Sequence, residues 1–106
     1  MKLNLDNIAV KHHEQAQRFE AEIGNMRALV TYRRTPGRIT FLHTEVPPPL
    51  EGQGLAAKLV RTALNFARAQ HLQVVPLCPY VSSFIQKNNE YQDLVPADQL
   101  QKIVSR

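Results

Sequence analysis

The chain is predicted to be an α+β fold on a mixed sheet, and three features of the sequence carry that prediction. Polar–apolar alternations flank Gly24-Asn25, and a third follows Thr35-Pro36-Gly37, which is the pattern of an N-terminal antiparallel meander. A loop with two glycines, Gly52 and Gly54, then opens a run of helical periodicity. A short apolar run around Val74-Val75 closes the unit. Strand, helix and strand in that order form a crossover whose two strands are parallel.

Each element has its local reason. Residues 1–6 form a loose start, and Ile8 and Val10 open a strand. His12-His13-Glu14-Gln15 reads as a polar turn. Adjacent residues of extended chain face opposite ways, and no Cys or Asp/Glu cluster accompanies the two histidines, so no metal site is expected. Residues 17–23 put Phe19, Ala21 and Ile23 on one face and Arg18, Glu20 and Glu22 on the other. Residues 26–34 set Ala28, Val30 and Tyr32 against Arg27, Leu29 and Thr31, and residues 38–46 form the third strand of the meander. Pro47-Pro48-Pro49 donates no backbone N–H, so that strand must leave the sheet there. The helix over 54–70 carries Leu55, Leu59, Val60, Ala63, Leu64 and Ala67 on one stripe, and Gln70-His71 ends it. Val74-Val75 is expected to pair in parallel beside the strand that ends at Val46. Pro79 suits a first helical position, with Val81, Phe84 and Ile85 at helical spacing and Asn88-Asn89 as a stop. Residues 90–95 form a short turn or helix, Pro96 breaks it, and 97–104 form a last helix with Leu100, Ile103 and Val104 on its apolar side.

The 106 residues suffice for one domain, 1–106, with one modest core. Apolar residues make up 43% and charged residues 21%, an ordinary globular composition. No apolar run approaches the roughly 18 residues of a membrane span, and residues 1–6 hold no secretory h-region. One cysteine cannot form an internal disulfide, which fits a reducing, cytoplasmic compartment. A net charge of +4, from 13 Lys+Arg and 9 Asp+Glu, favours anionic partners in general. Basic residues interleaved with aromatics are absent, so no nucleic-acid partner is expected, and Arg33-Arg34 with Arg38 reads as a solvated hairpin tip. A monomer or weak dimer is expected.

The centre of the sequence is the junction of strand, glycine loop and helix. Glycines allow close backbone approach to a ligand. The first helical turn leaves about four N–H groups unpaired, with the positive end of the dipole behind them. This is a phosphate-binding arrangement. It lacks the lysine and Ser/Thr of a P-loop and the third glycine of a dinucleotide fingerprint.

Glu51-x-x-Gly54-x-Ala56 resembles the Q/R-x-x-G-x-G/A motif of the GCN5-related N-acetyltransferases (GNAT superfamily). The longer string is similar to the smallest branch of that superfamily. It comprises His43-Thr44-Glu45-Val46, Gly52-Gln53-Gly54-Leu55-Ala56, Val75-Pro76-Leu77-Cys78-Pro79-Tyr80 and Glu90-Tyr91-Gln92-Asp93-Leu94. The resemblance spans roughly residues 17–95. It implies a GNAT-type sheet whose splayed strands hold the pantetheine arm of acetyl-CoA, with the pyrophosphate on the loop. The cofactor contacts it implies are Glu51, Gly52, Gln53, Gly54, Leu55, Ala56 and Ala57. The Val46 N–H would polarise the thioester carbonyl, and Lys58 and Arg61 are candidates to reach phosphate. Glu51 departs from the motif, and its carboxylate is expected to turn away from the pyrophosphate.

Acyl transfer from a thioester needs a neutral amine, a polarised carbonyl and a stabilised leaving thiolate. In the superfamily a carboxylate on the strand before the loop often takes the amine's proton, but the corresponding place here falls near Thr40. Glu45 and His43 share a face of the same strand, and either is a candidate base. Tyr80 and Tyr91 are the phenols that could protonate a thiolate. Cys78 is expected at the N-cap of the helix that Pro79 opens, where the helix dipole favours a thiolate. It is a candidate nucleophile or a neighbour of the CoA sulfur. The expected activity is acetyl transfer to an amine of an unidentified small molecule or protein. The alternative is a domain that binds CoA without turnover.

Overall fold

The computed structural model describes residues 2–104; Met1, Ser105 and Arg106, the ends of the expected 1–106 domain, lie outside them. Five strands form one sheet in sequence order: β1 (Lys11–His13), β2 (Arg18–Ile23), β3 (Met26–Thr35), β4 (Arg38–Glu45) and β5 (Gln73–Pro76). The first four pair antiparallel, and β5 joins β4 in parallel through the crossover helix α1 (Leu55–Ala69). Helix α2 (Pro79–Lys87), a 3₁₀ turn (Asn89–Leu94) and helix α3 (Ala97–Val104) complete the chain. The mixed sheet and its element order are those the sequence predicts. Among the described residues no helix is long and apolar enough to cross a membrane.

Register decides which face is buried. Phe19 pairs with Val30, Ala21 with Ala28, Tyr32 with Phe41 and Ile39 with Val74, and all eight are buried. Helix α1 lies on that face with Leu55, Leu59, Val60, Ala63, Leu64 and Ala67 buried, the stripe that the helical spacing picks out. Burying each leucine of the stripe stabilises the fold by about 1.5–3 kcal/mol relative to exposure. The opposite face carries polar side chains. Glu20 is nonetheless buried there, under Arg18, whose Nε contacts it directly, with Arg27 Nη1 and His13 Nε2 each at 3.5 Å.

A β-bulge in β4 turns its last residues over. Tyr32 pairs with Phe41, but Thr31 pairs with His43, so Leu42 is the extra residue. Strict alternation from Ile39 and Phe41 would aim His43 and Glu45 at the helices. The bulge puts them on the polar face and leaves Thr44 on the helix face, opposite Val30.

The amino-terminal segment departs from expectation. Residues Leu5–Asn7 form a 3₁₀ turn, and β1 starts at Lys11 rather than near Ile8. His12 and His13 are strand residues, not part of a turn. The reason is aromatic packing: the His12 ring stacks on Phe19 at 4.0 Å and meets the edge of Phe66 at 4.5 Å. Its Nε2 shares a 2.5 Å hydrogen bond with the Tyr32 hydroxyl. His13 points to the other face, towards Glu20.

Burial holds the His12 pKa below its usual 6.5, against a smaller opposing pull from Glu14, so the folded chain binds this proton more weakly than the unfolded chain. The stability this site contributes is complete above about pH 6.5 and is lost as the pH falls through that value towards the lower folded pKa. Thermal melts between neutral pH and about pH 5 should show a falling Tm, and His12→Phe, which keeps a ring in the cluster, should lessen that fall. An unchanged pH dependence in the variant would remove His12 as its source.

Candidate functional site

The site begins where two strands part. The parallel ladder ends at Phe41 opposite Pro76. One further bond follows, from the Cys78 N–H to the Phe41 carbonyl at 2.9 Å. Beyond it β4 runs on to Glu45, while the other chain turns into α2. The prolines then take the backbone out of the sheet through a 3₁₀ turn (Pro48–Leu50). Leu50, fully buried, pins that turn to the core. A cleft of about 280 Å³ lies between the parted chains, lined by Val46, Leu50, the loop at Glu51, Gly52 and Gly54, the first turn of α1 at Leu55 and Ala56, and Tyr80.

The loop backbone explains its glycines. Gly52 has φ +76° and Gly54 has φ +86°, in the left-handed region that glycine adopts without strain. Helix α1 has no side-chain cap at its N-terminus. Among the described residues the amides of Gly52, Gly54, Leu55 and Ala56 make no hydrogen bond within the chain. A Cβ built on Gly52 would meet no atom within 4 Å, so space stands open at that residue. Unpaired amides, the positive end of a 15-residue helix and an open approach fit a pyrophosphate.

Of the expected cofactor contacts, Val46, Glu51, Gly52, Gly54, Leu55 and Ala56 line this cleft. Three others are engaged elsewhere. The Lys58 ammonium donates to the carbonyls of Leu5 and, at 2.6 Å, Ile8. The Gln53 side chain accepts from the Leu3 N–H at 2.8 Å. Ala57 packs against the core. The amino-terminal segment thus lies across the start of α1, with Leu5 against Gly54. Arg61 sits over the Phe84 ring at 5.3 Å.

The candidate reactive residues surround the cleft at different depths. Tyr80 lines it and is 40% exposed; partial burial raises its pKa above the usual 10.0, partly countered by Arg61, so the phenol is protonated at neutral pH. Tyr91 is buried and donates to Asn65 at 3.2 Å, so it belongs to the packing of α1 on the 3₁₀ turn. Cys78 stands at the N-cap of α2 as expected, but its thiol is buried, 3.3 Å from the Thr44 hydroxyl. His43 and Glu45 are exposed on the polar face. Thr40, partly buried, pairs with Arg33 and Val75 on the same face. Leu50 and Thr44 escaped sequence reasoning as site residues. Thr44 lies within the string that carries the resemblance, while nothing in the sequence marks Leu50 beyond its place after three prolines.

Comparison with known proteins agrees with this geometry. Residues 18–94 match the family described as GCN5-related N-acetyl-transferase. Protein NATD1 of Mus musculus is 32% identical over 84 residues, 76% of each chain, and that of Homo sapiens is 31% identical over 76% of this chain and 74% of its own. The solution structure of a protein from Staphylococcus aureus described as GCN5-like superposes with a TM-score of 0.68 at 28% identity, covering 85% of this chain and 89% of that one. With a matching sequence pattern, sheet topology and loop, the chain belongs to the GCN5-related N-acetyltransferase family.

Proposed function

We propose that the chain is a single acetyltransferase domain that binds acetyl-CoA in the glycine-loop cleft and transfers the acetyl group to an amine. The observation that carries this reading is the loop itself: Gly52, Gly54, Leu55 and Ala56, whose amides are unpaired among the described residues, line an open cleft between parted strands. When bound, acetyl-CoA would supply an activated thioester acyl group. The chain's own residues do the rest. The amides hold the pyrophosphate, and the Val46 N–H polarises the carbonyl. Glu45, or His43 beside it, takes the proton from the acceptor amine as its nitrogen bonds to the acyl carbon and the carbon–sulfur bond breaks. Tyr80 gives its phenolic proton to the departing sulfur. Cys78 acts at the reactive end, either as a transient acyl carrier or as a neighbour of the CoA sulfur. A cofactor-binding domain without turnover is the second reading, favoured by Thr40 standing where the superfamily often has a carboxylate.

Acetyl-CoA at about 100 times its Kd should stabilise the fold by about 2.7 kcal/mol, read as a rise in Tm. Gly52→Asn and Gly52→Asp test the phosphate contact with side chains of nearly equal shape, both tolerant of positive φ. The aspartate should weaken acetyl-CoA about tenfold more than the asparagine in titration calorimetry, since it sets a charge against the pyrophosphate. Equal affinities would take the pyrophosphate off this loop.

Turnover separates the two readings. Glu45→Gln should lower kcat by about 10²-fold or more with the Kd for acetyl-CoA unchanged. A fall in cofactor affinity instead would make Glu45 structural. In the same assay Cys78→Ala decides the thiol's role: full activity excludes an acyl carrier, and acetyl on Cys78 by mass spectrometry, transferable to added amine, supports one. No turnover on any amine with acetyl-CoA bound would leave the binding-only reading.

A further inference from the structure

A second cleft, of about 470 Å³, opens on the polar face at the end of β4. It is lined by Asn25, Arg27, Leu29, Glu45, Val46, Pro47 and Pro48. Val46 also lines the glycine-loop cleft, so the two clefts meet at the residue whose amide is placed to polarise the thioester. Its size lies in the roughly 300–1,000 Å³ range of small-molecule sites.

The charges of this cleft are of two kinds and neither is fully spent. The Glu45 carboxylate has no hydrogen bond or ion pair among the described residues. Arg27 shares the buried Glu20 with Arg18, which contacts that carboxylate directly while Arg27 stands at 3.5 Å and is 51% exposed. Glu22 is the cross-strand neighbour of Arg27 but makes no ion pair with it among the described residues, so most N–H donors of the Arg27 guanidinium stay open to an incoming anion. Glu45 pairs with Leu29, and Arg27 lies two residues further along β3. The two charges are therefore diagonal neighbours, with backbones about 7–8 Å apart. Leu29, Pro47 and Pro48 bring no side-chain donor and Asn25 adds one neutral amide, so charged groups are recognised by Glu45 and Arg27.

On the reading proposed above, the acceptor must place its amine beside Glu45 and Val46. We infer that the acceptor is a short amino carboxylate, its amine on Glu45 and its carboxylate on Arg27. A zwitterion of that length satisfies both charges at once, whereas a plain amine leaves Arg27 unanswered and a plain anion is repelled by Glu45.

The test uses glycine, β-alanine, γ-aminobutyrate and ε-aminocaproate, each beside its methyl ester, as acceptors with saturating acetyl-CoA. At least one free acid should exceed its ester about tenfold in kcat/KM, the chain length of the best marking the separation of the two charges. Arg27→Gln should bring that ratio close to one, and Arg27→Lys should restore part of it. NMR titration gives a readout free of turnover: the best acid should shift the backbone amides of Arg27, Leu29 and Glu45, and its ester should leave that of Arg27 unshifted. Equal rates for every acid and ester, or shifts confined to other residues, overturn the proposal even with acetyl-CoA binding intact. If acetyl-CoA does not bind, the cofactor reading falls, and the titration alone decides this one.

Discussion

The 2.9 Å hydrogen bond from the Cys78 amide to the Phe41 carbonyl is the last tie between β4 and the chain beyond β5, and the whole site hangs on where it stops. Past it, β4 continues for four residues with β3 on one edge and no strand on the other, and Pro47 and the 3₁₀ turn remove the backbone from the sheet. A parallel ladder that ends early leaves unpaired backbone beside a gap, and such backbone is uneconomical unless water or a ligand takes up its donors. Here the gap opens onto the first turn of α1, so residues of the strand end and of the helix end line one space. On the proposed reading, that convergence, rather than any one side chain, is what would suit the cleft to a ligand with both a carbonyl and phosphates.

The bulge at Leu42 completes the division of labour. It reverses the alternation of β4, so Thr44 turns to the helices and meets Cys78, while His43 and Glu45 turn to the open face. One strand end can thus address a thioester from one side and an amine from the other. Glu20 belongs to this face as well. A carboxylate buried beneath two arginines stabilises little by itself, because desolvation offsets much of the attraction. It does fix Arg27 in position beside β4.

Much of this was legible in the sequence, and the limits have physical causes. Alternation located β2, β3 and β4, since one face of each is core and the other is polar. The stripe of α1 was read to the residue, because six apolar positions at helical spacing admit one buried face. The loop was legible because glycines at a strand–helix junction have few other uses. Three things were not. His12 reads as polar, and only its neighbours Phe19, Tyr32 and Phe66, distant in sequence, turn it into a buried ring. The bulge has no sequence mark, so the face of Glu45 could not be set relative to Phe41. Lys58 looked free for phosphate, because nothing local shows that residues 50 or more positions earlier supply carbonyls to it.

That last contact has a consequence for the whole molecule. Lys58 and Gln53 bracket the cofactor loop, and both are held by the amino-terminal segment, through Leu5, Ile8 and Leu3. An ammonium bound to two carbonyls cannot at the same moment neutralise a phosphate. Docking of the segment and capture of an anion by Lys58 are therefore exclusive states, and reciprocity requires that each weaken the other by the same factor. The first dozen residues lie outside the stretch that matches the family, yet they hold Lys58, a cation in the first turn after the loop. On the proposed cofactor reading, the amino-terminal segment would therefore bear on cofactor affinity through Lys58.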